Sequence, residues 1–174
     1  MTGFVIPTLE TDRLILRAPT LDDAAPLAAF YASDRSGFVG GPITAEQSWR
    51  VLAQEAGHWL LQGFGRWVLE ERDTGRAVGM VGLWHPEGFP ERELGWDLWE
   101  GTGRGYATEA AIAARAHAYG AWGWPTLISL VASGNDASAA VARRLGATED
   151  GRFTHERFGD MQIFRHPSPE ALAA

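Results

Sequence analysis

The sequence predicts a mixed α/β domain of the α+β kind, with about six to seven strands in one mixed sheet and about four helices around it. Three observations carry this. The hydrophobic period switches repeatedly between strand and helix, no segment repeats, and no Pro/Gly-rich linker divides the 174 residues. That length fits one domain over residues 1–174, with a core at about 8–166 and a loose tail at 167–174.

Leu14, Ile15 and Leu16 form a short buried strand that ends before Pro19. Thr20 and Asp23 are spaced as a capping box, so a helix follows over Ala24–Ser33. Asp34–Pro42 is rich in Gly and Ser and reads as a loop. Thr44 and Gln47 form a second box, and Trp49, Leu52, Ala53, Ala56 and Trp59 then recur as a helical stripe expected to face the core. Arg66–Glu71 and Arg76–Trp84 flank Asp73-Thr74-Gly75 as a hairpin.

A loop at His85–Pro90 leads to a strand over Glu91–Trp99. Leu94, Trp96 and Leu98 share one of its faces; Glu93, Gly95 and Asp97 share the other. The glycine-dense turn Gly101–Gly105 opens a helix that runs to about Tyr119. Thr126–Ala132 is an apolar strand, and Asn135–Leu145 a helix stopped by Gly146. Arg152–Glu156 and Met161–Arg165 make a last hairpin.

Composition excludes several function classes. The 15 basic and 22 acidic residues give a net charge of −7, against nucleic-acid binding through a generally basic surface. The acidic balance suits a cationic partner. Cysteine is absent, which removes thiol nucleophiles, disulfides and cysteine zinc sites, and fits a cytoplasmic protein. Lysine is absent too, so neither a Walker phosphate loop nor a Schiff base to a lysine amine is available. No secretory leader and no run of ~20 apolar residues is present, so no membrane span is expected. The five His are scattered, and no metal is expected.

Gly101-Thr102-Gly103-Arg104-Gly105 between a strand and a helix is either a tight turn or a phosphate cradle. Closely spaced glycines expose backbone N–H groups, and a helix N-terminus adds partial positive charge. The dinucleotide fingerprint fails, because Thr108 stands where its third glycine belongs. Glu93 and Asp97 either lie on a solvated strand face or supply a general base. Asn135 and Ser133 either cap the next helix or, with Ser138, serve a ligand. Trp84 and Trp99, at strand ends, are candidate pocket walls.

The combination Glu93-Leu94-Gly95-Trp96-Asp97-Leu98, Gly103-Arg104-Gly105-Tyr106-Ala107-Thr108-Glu109-Ala110, Asn135-Asp136-Ala137-Ser138 and Arg144-Leu145-Gly146-Ala147 resembles the GNAT N-acetyltransferase superfamily. The opening Thr11-Asp12-Arg13-Leu14-Ile15-Leu16-Arg17 and the Gly40-Gly41-Pro42 loop resemble its RimJ/RimL-like branch, whose known members acetylate the α-amino ends of ribosomal proteins. The resemblance spans roughly residues 8–166. It implies acetyl-CoA as donor. Backbone N–H groups from Gly103, Arg104, Gly105, Tyr106, Ala107 and Thr108 would hold its pyrophosphate. Main-chain groups of Trp96, Asp97 and Leu98 would hold the pantetheine arm and polarise the acetyl carbonyl, and Asn135 would contact the arm. Thr102 stands where the family pattern has Gln or Arg.

Many family members carry a Tyr on the last helix as proton donor, and Val141-Ala142-Arg143-Arg144 has none. Ser138 is the substitute candidate, and Glu93 the candidate base. The expected acceptor is a primary amine, first an α-amino group of a protein or peptide N-terminus. The alternatives are a small amine resembling a polyamine, aminoglycoside or amino acid, or a sensor that binds acyl-CoA without turnover. The acceptor pocket is expected among the Asp34–Pro42 loop, the Trp84–Pro90 loop and the final hairpin. A homodimer is the common state of the branch.

Overall fold

The computed structural model describes residues 5–174. Its eight strands form one sheet. They are β1 (Leu9–Glu10), β2 (Leu14–Arg17), β3 (Arg66–Glu71), β4 (Ala77–Trp84), β5 (Glu93–Leu98), β6 (Ile128–Ala132), β7 (Thr148–His155) and β8 (Gly159–Arg165). The spatial order is β1-β2-β3-β4-β5-β6-β8-β7, antiparallel everywhere except at β5 and β6. The helices are α1 (Ala24–Tyr31), α2 (Ala45–Gln62), α3 (Tyr106–Gly120), α4 (Asp136–Arg144) and α5 (Pro169–Ala173).

Strand alternation divides the core into two layers. Trp67 and Leu69 of β3 and Val81 and Leu83 of β4 pack toward α3, which answers with Ala110, Ala111, Ala114 and Ala118. Those small side chains let the helix backbone approach the sheet. Val68 and Met80 point the other way, onto Leu27, Phe30, Tyr31 and Leu52 of α1 and α2.

Both expected capping boxes form, Thr20 with Asp23 and Thr44 with Gln47. Five expectations need correction. The sheet has eight strands, because β1 adds a two-residue edge. The Asp34–Pro42 loop contains a 3-10 turn over Asp34–Val39. β7 begins at Thr148, and its irregular register between Glu149 and Arg152 hid the first half from a pattern reading. The tail folds into α5, which Ser168 caps by accepting from the Ala171 N–H.

The α2 stripe is the most instructive correction. Trp49 is 53% exposed, and Ala53 and Ala56 are also exposed, whereas Leu52 and Trp59 are buried. The inward face is Ser48, Leu52, Glu55, His58 and Trp59. Glu55 and His58 are held there by polar partners on and beside β3 and β4, whereas Ser48 Oγ is buried without a hydrogen-bond partner among the described residues. Glu55 takes a bidentate contact from Arg66, and Arg66 Nη1 also donates to Asp97 Oδ1 at 2.5 Å. His58 Nδ1 donates to the Phe64 carbonyl at 2.7 Å, and its Nε2 accepts from the His85 N–H at 3.0 Å.

Glu55, Arg66 and Asp97 therefore form a buried triad, one guanidinium between two carboxylates. Arg66→Met should cost about 3–5 kcal/mol of unfolding free energy, because it leaves two buried carboxylates without their cation. Urea denaturation of the two proteins checks this, with the midpoint falling and the slope unchanged.

Candidate active site

The site begins where β5 and β6 part. Their parallel pairing consists of Glu93 with Ile128, supported by the Ile128 N–H on the Arg92 carbonyl at 3.1 Å. Beyond it the strands are bridged by side chains. Ser129 Oγ donates to the Leu94 carbonyl at 2.6 Å, and the Leu130 N–H reaches Glu93 Oε1 at 3.4 Å. From Gly95 onward no residue of β5 pairs with β6, and a cavity opens that Glu93, Trp96, Asn135 and Ser138 all line.

Glu93 is the strongest candidate base. Burial pushes its carboxyl up to about 7, against the nearby Arg66 charge and the Leu130 N–H, which pull it down. Such a carboxyl gains and loses a proton near neutrality. Asp97 is on the same face but differs in role. Its side chain is buried and accepts from Arg66 and from the Trp99 indole at 2.8 Å, so only its main chain faces a ligand.

Ser138 Oγ accepts from the Trp96 indole N–H at 3.1 Å, which leaves the serine hydrogen to donate elsewhere. Asn135 Oδ1 caps α4 by accepting from the Ser138 N–H at 3.1 Å. Asn135 therefore serves the helix and lines the cavity at once. Leu98 ends β5, and its carbonyl accepts from Arg35 Nη2 at 2.9 Å.

The glycine turn follows β5 directly. Gly101, Gly103 and Gly105 all have φ between 70° and 86°, which other residues rarely adopt. Gly105 is the N-cap of α3 and offers no capping side chain. The first-turn N–H groups thus lack an intrahelical acceptor and face outward. A Cβ at Gly103 would meet nothing within 4 Å, so the turn is open on that side.

Side chains of this segment brace the turn. Tyr106 is 1% exposed, and its hydroxyl donates to Glu71 Oε1 at 2.5 Å. Arg104 Nη1 donates to the same oxygen at 2.6 Å, so its guanidinium is already paired. That Tyr106 hydrogen bond, with Thr74 and Arg104, holds the Glu71 carboxyl down at about 2. Arg13 bonds the Arg104 carbonyl at 2.9 Å and Glu109 on α3, locking the opening strand region to the turn. Arg35 Nη2 donates to Thr102 Oγ1 at 2.7 Å, and its Nη1 to the Trp99 carbonyl at 2.5 Å.

The opposite end of the cavity is bounded by three segments. Phe38 and Val39 come from the Asp34–Val39 turn, Trp84 and Phe89 from the β4–β5 connection, and Arg157 and Phe158 from the β7–β8 turn. They meet over the cavity. A Cβ at Gly40 would stand 3.2 Å from both Arg157 and Phe158, and Phe89 packs on His155 with ring centroids 5.2 Å apart. Trp84 stacks on His58 at 4.5 Å, while Trp99 is buried in the core below.

Behind the fork runs a buried chain of hydrogen bonds. Arg115 Nη1 donates to the Leu145 carbonyl at 2.6 Å and to His166 Nδ1 at 3.2 Å. Arginine has only donors, so Nδ1 accepts and His166 Nε2 carries the hydrogen. It donates to Ser129 Oγ at 2.8 Å, and Ser129 passes its own hydrogen to Leu94. Burial, then the Arg115 charge, pushes the His166 imidazole down to about 3, so it stays neutral.

Tyr31, Glu55, Arg66, Ser129, Arg157 and His166 carried no sequence signal. Each lies far in sequence from the residues it meets, and only the sheet order brings them together. Among the described residues no cluster of His, Asp and Glu is placed to hold a metal ion, and no helix is long and apolar enough to cross a membrane.

Comparison with known proteins agrees with this geometry. The family model of the acetyltransferase (GNAT) domain matches residues 13–148. The N-acetyltransferase YoaA of Bacillus subtilis is 28% identical over 156 residues, 84% of this chain and 86% of that protein. The crystal structure of an acetyltransferase from Agrobacterium tumefaciens superposes with a TM-score of 0.85 at 40% identity, covering 96% of this chain and 98% of the other. A ribosomal-protein alanine acetyltransferase from Vibrio fischeri shares the fold at 18% identity and a TM-score of 0.72, over 95% and 99% of the two chains.

The neutral histidine makes a stability prediction. His166 refuses a proton that the unfolded chain accepts near pH 6.5, so its contribution is intact above that pH and is lost as pH falls toward 3. His166→Gln should flatten the fall in urea midpoint between pH 6.5 and 4. Part of the slope should persist, because burial also lowers His58 and His117.

Proposed function

The chain belongs to the GNAT acetyltransferase family, and from that premise we propose that it transfers an acetyl group from acetyl-CoA to an α-amino group placed over Glu93. The observation that carries this reading is the cavity at the β5–β6 fork, where a carboxyl that titrates near neutrality lies beside an open strand edge; the glycine turn follows that strand in the chain.

The residues present fit the donor. The N–H groups from Gly103 to Thr108 would hold the pyrophosphate at the α3 N-terminus, where dipole and donors favour anions. The open edge of β5 at Trp96, Asp97 and Leu98 would hold the pantetheine arm by main-chain hydrogen bonds, with Asn135 beside it. Tyr106 takes part through its backbone alone, since its ring and hydroxyl are buried. Arg104 gives only Nη1 to Glu71 and is half exposed, so its other N–H groups could reach a phosphate while that bond stays. Bound there, acetyl-CoA supplies the thioester carbonyl that the amine attacks.

The chain's residues then handle protons and charge. The amine attacks in its neutral form, its ammonium proton having gone to solvent. As the N–C bond forms and the C–S bond breaks, the nitrogen gives its second proton to the Glu93 carboxylate, and CoA leaves as the thiolate, which takes up a proton to become the free thiol. Strand-edge N–H groups polarise the carbonyl from fixed positions, at no cost in reorganisation. Ser138, steadied by Trp96, donates its hydroxyl hydrogen toward the departing thiolate. Without a lysine or cysteine in the chain, direct attack needs no covalent enzyme intermediate.

Proton cost favours an α-amino acceptor. An amine of pKa ~8 costs about 1.4 kcal/mol to neutralise at pH 7, and a lysine amine of ~10.4 about 4.6 kcal/mol. The branch resemblance supports a protein or peptide terminus. A small amine has a separate observation on its side: the 34–42 segment and the β7–β8 turn meet over the cavity, at Gly40 against Arg157 and Phe158.

Two experiments test the reading. Acetyl-CoA at 100 times its dissociation constant should add about 2.7 kcal/mol, a rise in Tm of roughly 5–10 °C, and ATP should add none. With an amine acceptor, kcat/KM should rise with pH through a limb near 7. Glu93→Gln should remove that limb, keep the acceptor's own, and lower kcat by about 10²–10⁴-fold. A wild-type protein that binds acetyl-CoA tightly yet releases no thiol with any amine would be a sensor.

A further inference from the structure

The acceptor end of the cavity carries two donors that nothing in the fold uses. Tyr31, at the end of α1, lines the cavity and is only 4% exposed, yet its hydroxyl makes no hydrogen bond among the described residues. The hydroxyl oxygen is not sealed off with the ring, so it opens onto the cavity, where a ligand atom can accept its hydrogen. Arg157, in the β7–β8 turn, lines the same cavity and has no carboxylate partner among the described residues. Its guanidinium rests on the Phe158 ring at 5.2 Å. The two flank the same pair of glycines: a Cβ at Gly40 would stand 3.2 Å from Arg157 Nη2, and one at Gly41 3.3 Å from the Tyr31 ring.

Of the four charged side chains that line the cavity, Glu55 and Arg66 pair with each other, and Arg66 also holds Asp97 behind the wall. Glu93 at the fork and Arg157 under the roof, one of each sign, form no salt bridge among the described residues. Between them stand aromatic walls, Phe38, Trp84, Phe89 and Phe158. A polycation would find one carboxylate and an opposing guanidinium, although the chain as a whole is acidic. A molecule with an amine, an apolar body and an anion would satisfy every wall.

We infer that the acceptor is amino-acid-like: its amine is directed at Glu93, its apolar side group lies among the aromatic walls, and its carboxylate is received by Arg157 and the Tyr31 hydroxyl. Arginine suits this role because its planar fork matches a carboxylate, and the phenol adds a neutral donor. The inference rests on the transfer reading above and narrows it to free, uncapped acceptors. A peptide N-terminus, whose first residue carries an amide in place of the carboxylate, lacks the anion.

The test is thiol release from acetyl-CoA with phenylalanine and leucine, their amides, their decarboxylated amines, a C-terminally amidated tripeptide and spermidine. The amino acids should exceed their amides in kcat/KM by about 10–100-fold, the range for a hydrogen-bonded charge. Arg157→Gln should bring that ratio close to one, with the loss in KM for the carboxylates. Tyr31→Phe should reduce it by a smaller factor, and Arg152→Gln, exposed on β7, should preserve it. The Tm shift with acetyl-CoA, measured in each variant, shows that the donor half remains folded. Amides, the tripeptide or spermidine turned over as well as the amino acids would overturn the inference while leaving the transfer reading standing. So would a ratio unchanged in Arg157→Gln. Failure of every amine, in a protein that still binds acetyl-CoA, would sink both.

Discussion

Two neighbouring strands that stop bonding to each other create this site. A parallel ladder left incomplete exposes backbone groups, and such groups are costly when buried without partners. Here the vacancy is organised. Ser129 and Glu93 carry the junction across to Leu94 and Leu130 after the ladder ends. The Ser129 hydroxyl is oriented in turn by His166, and His166 by Arg115. Arg115 is a buried cation with no carboxylate partner among the described residues, and it donates instead to the Leu145 carbonyl at the C-terminal end of α4, where the helix dipole favours a cation. The helix that follows the fork therefore helps to hold it open.

The second support is on the donor side. A turn with three left-handed glycines is conformationally expensive and would wander if left alone. Tyr106 anchors its far end to Glu71, and Arg13 and Arg104 sandwich the Tyr106 ring at 4.8 and 4.7 Å. Glu109 adds a clamp from α3 to Thr11 and Arg13. The side chains of this segment thus brace the backbone and leave its N–H groups at the start of α3 without a capping side chain.

How much of this the sequence disclosed depends on the distance over which each interaction acts. Caps and glycine stops are local, so Thr44 with Gln47 and Gly146 were legible from spacing alone. Glu93, Ser138 and Asn135 lie within two short stretches, and the fold brings them to one cavity, while the glycine turn follows β5 outside its lining. Glu55 and Arg66 resemble surface charges in any one-dimensional reading, since nothing in either segment reveals that they bury each other. Trp49 failed for the complementary reason. An aromatic at helical spacing looks like core until a paired carboxylate takes the inward seat. Tyr31, Ser129, Arg157 and His166 become meaningful only through contacts that span the sheet.

Arg35 has a consequence of another kind. It springs from the segment that roofs the acceptor end, yet its three hydrogen bonds end on Leu98, Trp99 and Thr102, where the donor turn begins. One guanidinium thus fastens the roof of the acceptor end to the backbone where β5 gives way to the glycine turn. For a reaction that needs two molecules held together, the two ends share one brace, and a chain without that side chain would loosen both.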